Sequence, residues 1–147
     1  MDFEMPETKI GFDCEESLPP TITRFRRSIL IVDDDRNSID SLSRWLEDED
    51  FETRSVFHPL HSLVVASEQK IDVAIVDINL PDVNGLAFLQ ELVQLDLFPV
   101  IVLTNETQPG LFLKAKELGA FDCLAKPASV EALKRSIDRA VSRRILL

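Results

Sequence analysis

The sequence predicts an α/β fold: a doubly wound sheet of five parallel strands with five helices over its two faces. Three observations carry this expectation. Short, continuously apolar runs, ILIV at 29–32, VAIV at 73–76 and VIVL at 100–103, read as strands buried on both sides. Segments with a helical apolar period lie between them, the alternation that builds βαβ units. The 147 residues make one ordinary domain with room for a single sizeable core.

Residues 1–27 mix acids, the pair Pro19-Pro20 and small residues without a hydrophobic period. They read as an N-terminal extension, expected to be flexible, with a docking arm as the other reading. The domain proper spans 28–147. ILIV forms the first strand, and Ile39, Leu42 and Leu46 set the core face of the first helix. A weaker strand covers Phe51 to Val56, with Phe51, Thr53 and Ser55 on one side. Leu60, Leu63 and Val64 are expected to turn the second helix toward the core. After VAIV, the residues Pro81 to Gly85 supply a turn, and Leu86, Leu89 and Leu92 or Val93 mark the third helix. VIVL follows, then a helix on Leu111, Ala115 and Leu118, and Gly119 turns the chain into a short strand at Phe121 to Leu124. Ser129 is the expected N-cap of a last helix patterned on Val130, Leu133, Ile137, Ala140 and Val141. Arg139, Arg143 and Arg144 near its end suit the helix dipole, with a recognition face as the alternative.

Composition excludes several classes of function. A net charge of −10 disfavours nucleic acid or an anionic membrane as a direct partner. Cys14 and Cys123 lie far apart, with neither CxxC spacing nor a paired His, which argues against a disulfide framework or zinc and for a reducing cytoplasm. The acidic N-terminus has no apolar signal region, and no run of about 18 apolar residues occurs, so no membrane association is expected.

The polar residues inside this frame fall in one pattern. Asp33 and Asp34 end the first strand, Asp77 the third and Thr104 the fourth, and Lys126 follows the fifth. All lie at carboxyl ends of parallel strands, where open α/β sheets bind ligands. Each residue alone has an ordinary reading: an acidic run that caps a helix, a turn aspartate, a surface lysine, a strand-end hydroxyl. Jointly, clustered carboxylates call for a cation, and an all-oxygen set without His or Cys suits Mg²⁺.

These motifs give the chain from Ser28 to about Arg144 a resemblance to the receiver domains of two-component response regulators. The resemblance rests on Asp33-Asp34 after an apolar strand, on DINLPDVNG with Asp77, Pro81 and Gly85 in D-x-x-x-P-x-x-x-G spacing, on Thr104 after VIVL, and on Lys126-Pro127. It implies a flavodoxin-like strand order 2-1-3-4-5 and phosphorylation of Asp77 by a histidine kinase or histidine phosphotransfer protein. It also implies Mg²⁺ held by Asp34, Asp77 and the backbone carbonyl of Asn79 and oriented through Asp33. Lys126 and Thr104 are then expected to contact the phosphoryl oxygens, and Lys126-Pro127 to be a cis peptide. The signal would pass to an unknown downstream protein or a phosphorylation-dependent homodimer.

Two residues depart from the family pattern: Cys123 stands where a switch aromatic is usual, and Asn105 follows Thr104 where a small residue is usual. Phe121 is expected on the same strand face as Cys123, and Cys123 itself is expected to act as a small buried hydrophobe. The chain ends at Leu147, so a stand-alone receiver is expected. A phosphatase-like enzyme would want a second acid where Asn79 stands, and a flavin or nucleotide binder would not place three acids after the first strand. The reading is therefore a phosphoacceptor and not an enzyme.

Overall fold

The computed structural model describes residues 26–80, 83–105 and 108–146. The strands are β1 (Ser28–Val32), β2 (Glu52–Val56), β3 (Val73–Val76), β4 (Val100–Thr104) and β5 (Asp122–Ala125). The helices are α1 (Arg36–Asp48), α2 (Pro59–Glu68), α3 (Gly85–Gln94), α4 (Leu111–Glu117) and α5 (Val130–Leu146). All strand pairs are parallel, in the order β2-β1-β3-β4-β5. Element type and order match the expectation. The N-terminal extension up to residue 25, the turn residue Pro81, and the side chains of Arg143 and Arg144 lie outside what is described.

Alternation along the strands divides the core between two faces. Leu30, Val32, Ala74, Val76, Val100 and Val102 meet α2, α3 and α4, while Ile29, Ile31, Val73, Ile75, Ile101 and Leu103 meet α1 and α5. Both faces of β1, β3 and β4 are therefore covered, which is why residues 29–32, 73–76 and 100–103 are apolar throughout. β2 lies at an edge and is polar at four of its five positions: Phe51, just before it, joins the α1 side, and Thr53 and Ser55 bond Glu47 and Ser43 of α1.

The helices start where short polar side chains satisfy free N–H groups. Asp35 accepts from Asn37 N–H, Asn84 from Ala87 N–H, and Ser129 from Ala132 N–H, the last as expected. His58 caps α2 through Nδ1, ahead of Pro59 at the first helical position.

Three expectations fail, the simplest at Val130, which opens α5 but is 48% exposed and does not join the apolar face of Leu133, Ile137 and Ala140. α2 buries Pro59, Ser62, Val65 and Ala66, leaving Leu60 and Val64 exposed and Leu63 half-buried. The segment carries apolar residues on two arcs, so periodicity alone could not choose between them. Phe121 and Cys123 do not share a face: Phe121 packs on the α1/α5 side and Cys123 on the other. β5 begins only at Asp122, one residue later than expected, so the period of two does not extend back to Phe121.

Gly85 explains one motif position by contact alone. A Cβ there would lie 1.7 Å from the carbonyl oxygen of Ile78, next to Asp77. Replacement by alanine must push the loop after β3 away from α3. Gly85→Ala is expected to lower unfolding stability by about 1–3 kcal/mol, the usual cost of overpacking, measured by urea denaturation.

Candidate functional site

The sheet itself positions the site. Asp33 N–H bonds the Val56 carbonyl and Asp77 N–H bonds the Val32 carbonyl, so each aspartate continues the ladder one residue past its strand. Both carboxylates emerge at the carboxyl edge and are nearly buried, at 5% and 6% exposure. Asp34, next in sequence to Asp33, points to solvent. One carboxylate oxygen from each of the three lies within 4.8 Å of the other two.

Lys126 is the counter-charge. Its Nζ donates to Asp33 Oδ2 at 2.6 Å and to Asp77 Oδ2 at 3.0 Å. The peptide Lys126-Pro127 is cis, as the resemblance implied, and Lys126 N–H bonds the Thr104 carbonyl. Burial would lower the ammonium pKa, but its hydrogen bonds to Asp33 and Asp77 and the charges of those carboxylates outweigh it, and the net shift is upward.

The remaining oxygens are held by loop N–H groups. Asp35 N–H donates to Asp33 Oδ1 and Asn79 N–H donates to Asp77 Oδ1. The Asn79 side chain is exposed and donates to Asn105 Oδ1 at 3.4 Å, joining the loops after β3 and β4. Thr104 is fully buried at the end of β4. The structure thus gathers Asp33, Asp34, Asp77, Asn79, Thr104 and Lys126 at one edge. The donor chemistry fits Mg²⁺: three hard carboxylates, two of them anchored and one free to move.

Some functional detail lay outside the sequence reading. The third acid of the DDD run, Asp35, is the cap of α1; its bond from Ser38 Oγ, more than its backbone bonds, lowers its pKa. The signal was the Asp-x-x-Ser spacing before an apolar period. Asp122 was not singled out either. It accepts from Ser136 Oγ and Arg139, and lies 3.6 Å from Lys116. Burial raises its pKa, but these partners and the Cys123 N–H outweigh that and leave it lowered.

Cys123 is half-buried with Sγ 3.7 Å from the Phe112 carbonyl, and burial pushes its thiol up to about 11 despite the charge of Lys116. It is a protonated thiol at neutral pH, half-buried where full burial was expected.

Residues 29–138 match the family model described as the response regulator receiver domain. Among solved structures, a response regulator receiver domain protein from Clostridium thermocellum superposes with a TM-score of 0.76 at 28% identity, over 82% of this chain and 98% of that one. A response regulator from Burkholderia pseudomallei, with a phosphorylated aspartic acid, calcium ion and citrate, gives 0.72 at 26% identity, over 82% of this chain and 71% of that one. Among curated relatives, the regulatory protein VanRc of Enterococcus gallinarum is 29% identical over 99 residues, 67% of this chain and 43% of its own length. The chain spans less than half the length of curated relatives such as this one.

Removing the Lys126 ammonium leaves Asp33 and Asp77 facing each other without a cation. Lys126→Met is expected to destabilise the metal-free protein, toward the ~3–5 kcal/mol seen when one partner of a buried pair is lost. Mg²⁺ should restore part of that loss, read as a rise in Tm of the variant with added salt of Mg²⁺ over the same ionic strength of Na⁺. In the wild type the Lys126 contribution is complete below the ordinary lysine pKa of 10.5. It is lost only as pH rises through the higher folded value.

Proposed function

The chain belongs to the response regulator receiver family, and on that footing we propose that it accepts a phosphoryl group on Asp77 and signals through protein–protein contacts. The observation that carries this reading is the double hydrogen bond from Lys126 to two nearly buried aspartates, beside an exposed third. The relative from Burkholderia pseudomallei with a phosphorylated aspartic acid supports it. The donor is a phosphohistidine on a histidine kinase or histidine phosphotransfer protein, and the setting is the cytoplasm.

Asp77 is the nucleophile. An oxygen of its carboxylate attacks phosphorus, the P–N bond breaks, and the imidazole leaves with the bonding pair, giving an acyl phosphate. Asn79 N–H on Oδ1 fixes the rotamer that aims the carboxylate at the open edge. Lys126 leaves Asp77 Oδ2 for a phosphoryl oxygen, where its point charge counters the arriving anion. The Thr104 hydroxyl donates to another phosphoryl oxygen. Asp34, Asp77 and the Asn79 carbonyl, oriented through Asp33, would hold Mg²⁺, which when bound would supply the charge that lets carboxylate and phosphoryl group approach.

The downstream partner reads the change at Thr104, the segment 105–110 and α4. With a thiol at 123 in place of a ring, no bulky side chain on β5 has to exchange a buried for an exposed position. Phosphorylation also leaves room for a homodimer.

With Mg²⁺ and acetyl phosphate the intact mass should rise by one phosphoryl group, and Asp77→Asn should abolish the gain. No gain in the wild type, or equal labelling of the variant, overturns the assignment. By titration calorimetry Asp34→Ala should weaken Mg²⁺ binding more than Asp33→Ala does. Hydrogen exchange with and without beryllofluoride should change over 105–118 more than over 121–124.

A further inference from the structure

The loops after β3 and β4 are joined at the open edge of the site by a contact between two side chains. Counted on from the last paired residues, Val76 and Val102, the register of the two strands sets Asp77 opposite Leu103, Ile78 opposite Thr104 and Asn79 opposite Asn105. The side chains continue the pairing where the strands stop: Asn79 Nδ2 donates to Asn105 Oδ1 at 3.4 Å. Each amide carries both a donor and an acceptor, so the bridge forms in either sense. Asn79 is fixed in place, because its N–H is the group that holds Asp77 Oδ1. Asn105 directly follows the buried Thr104 and lines the same groove as Asp33 and Lys126. The bridge therefore spans the two strand ends on which Asp77 and Thr104 stand.

We propose that the Asn79–Asn105 bridge restricts access to Asp77, so that it slows both the arrival and the hydrolytic loss of a phosphoryl group and lengthens the life of the acyl phosphate. This rests on the phosphoacceptor reading of Asp77 and adds the regulation of that site. In the loss, a water oxygen attacks phosphorus, the bond from phosphorus to the Asp77 oxygen breaks, and the carboxylate leaves with the bonding pair. One water proton passes to solvent and the other leaves on the phosphate. That water needs a way in to phosphorus and a group to take its proton. The bridge supplies neither: two amides occupy the opening, and an amide has no group that accepts a proton near neutral pH. A contact this long and exposed opens readily, so it retards transfer without forbidding it.

A double-mutant cycle on two rates tests this: labelling of the full chain by acetyl phosphate with Mg²⁺, followed by intact mass, and loss of the label once the phosphodonor is removed. Asn79→Ala and Asn105→Ala should each quicken both rates by about three- to tenfold, the size of one hydrogen bond. The double variant should be no faster than the faster single one, because both changes remove the same bond. Asn105→Ala should leave Mg²⁺ affinity by titration calorimetry at the wild-type value, since Asn105 is no part of the proposed metal site. Both side chains are exposed, so the urea midpoint of each variant should match that of the wild type. Single variants no faster than the wild type, effects that multiply in the double variant, or a Mg²⁺ affinity that moves with the rates overturns the proposal. A wild type that takes no label overturns the phosphoacceptor reading and this inference with it. A labelled wild type whose rates the variants merely match overturns this inference alone.

Discussion

Two carboxylates buried side by side at the end of a parallel sheet repel each other unless a cation stands between them, and the architecture follows from that requirement. Asp33 and Asp77 lie on neighbouring strands, each held by a ladder hydrogen bond beyond the strand end, so neither can swing away from the other. The cation comes from two strands further along the sheet, on Lys126. Forming the pair therefore requires β1, β3, β4 and β5 to be in register. The site is an electrostatic consequence of the completed fold and cannot exist in a fragment of it.

The same constraint explains how the proposed metal-binding and phosphate-accepting chemistry would be compatible with a stable protein. A site built only for stability would replace the ion pair with apolar residues, since buried charges return little net free energy. Here the strain of like charges is kept, and Lys126 relieves it in the resting protein. On the proposed function, an arriving divalent ion or phosphoryl group would offer other partners and free the lysine to move. The exposed Asp34 gives a metal an open approach without opening the apolar core beneath.

The fold was legible because buried parallel strands have few sequence solutions. ILIV, VAIV and VIVL could hardly be anything else at that length and spacing, and Asp33, Asp77, Thr104 and Lys126 followed as the residues at their ends. What escaped was decided by tertiary packing. The LHSLVV stretch of α2 offers two apolar arcs, and the choice of Val65 and Ala66 over Leu60 and Val64 depends on which arc meets the sheet. The placement of Phe121 failed for a different reason: alternation holds only within a strand, and β5 starts one residue later. The role of Asp35 was hidden among three equal letters, of which only geometry distinguishes ligand, anchor and cap.

Lys126 also links the chemistry to the chain around it. Its backbone N–H bonds the Thr104 carbonyl while its ammonium holds Asp77, so the residue that neutralises Asp77 is tied to the strand end that carries the buried hydroxyl. Drawing the ammonium or the hydroxyl toward a new oxygen moves both. Beyond β5 the path is stiff: Asp122 ties Lys116 of α4 to Ser136 and Arg139 of α5 through one carboxylate, and the Cys123 thiol rests on the carbonyl of Phe112. A displacement at Thr104 thus meets an anchored β5 on one side and, on the other, the short α4 entered through Gly110, which has no side-chain cap. α4 is itself tied to β5 through Lys116 and the Phe112 carbonyl, so it meets such a displacement from both directions, through Gly110 and through β5.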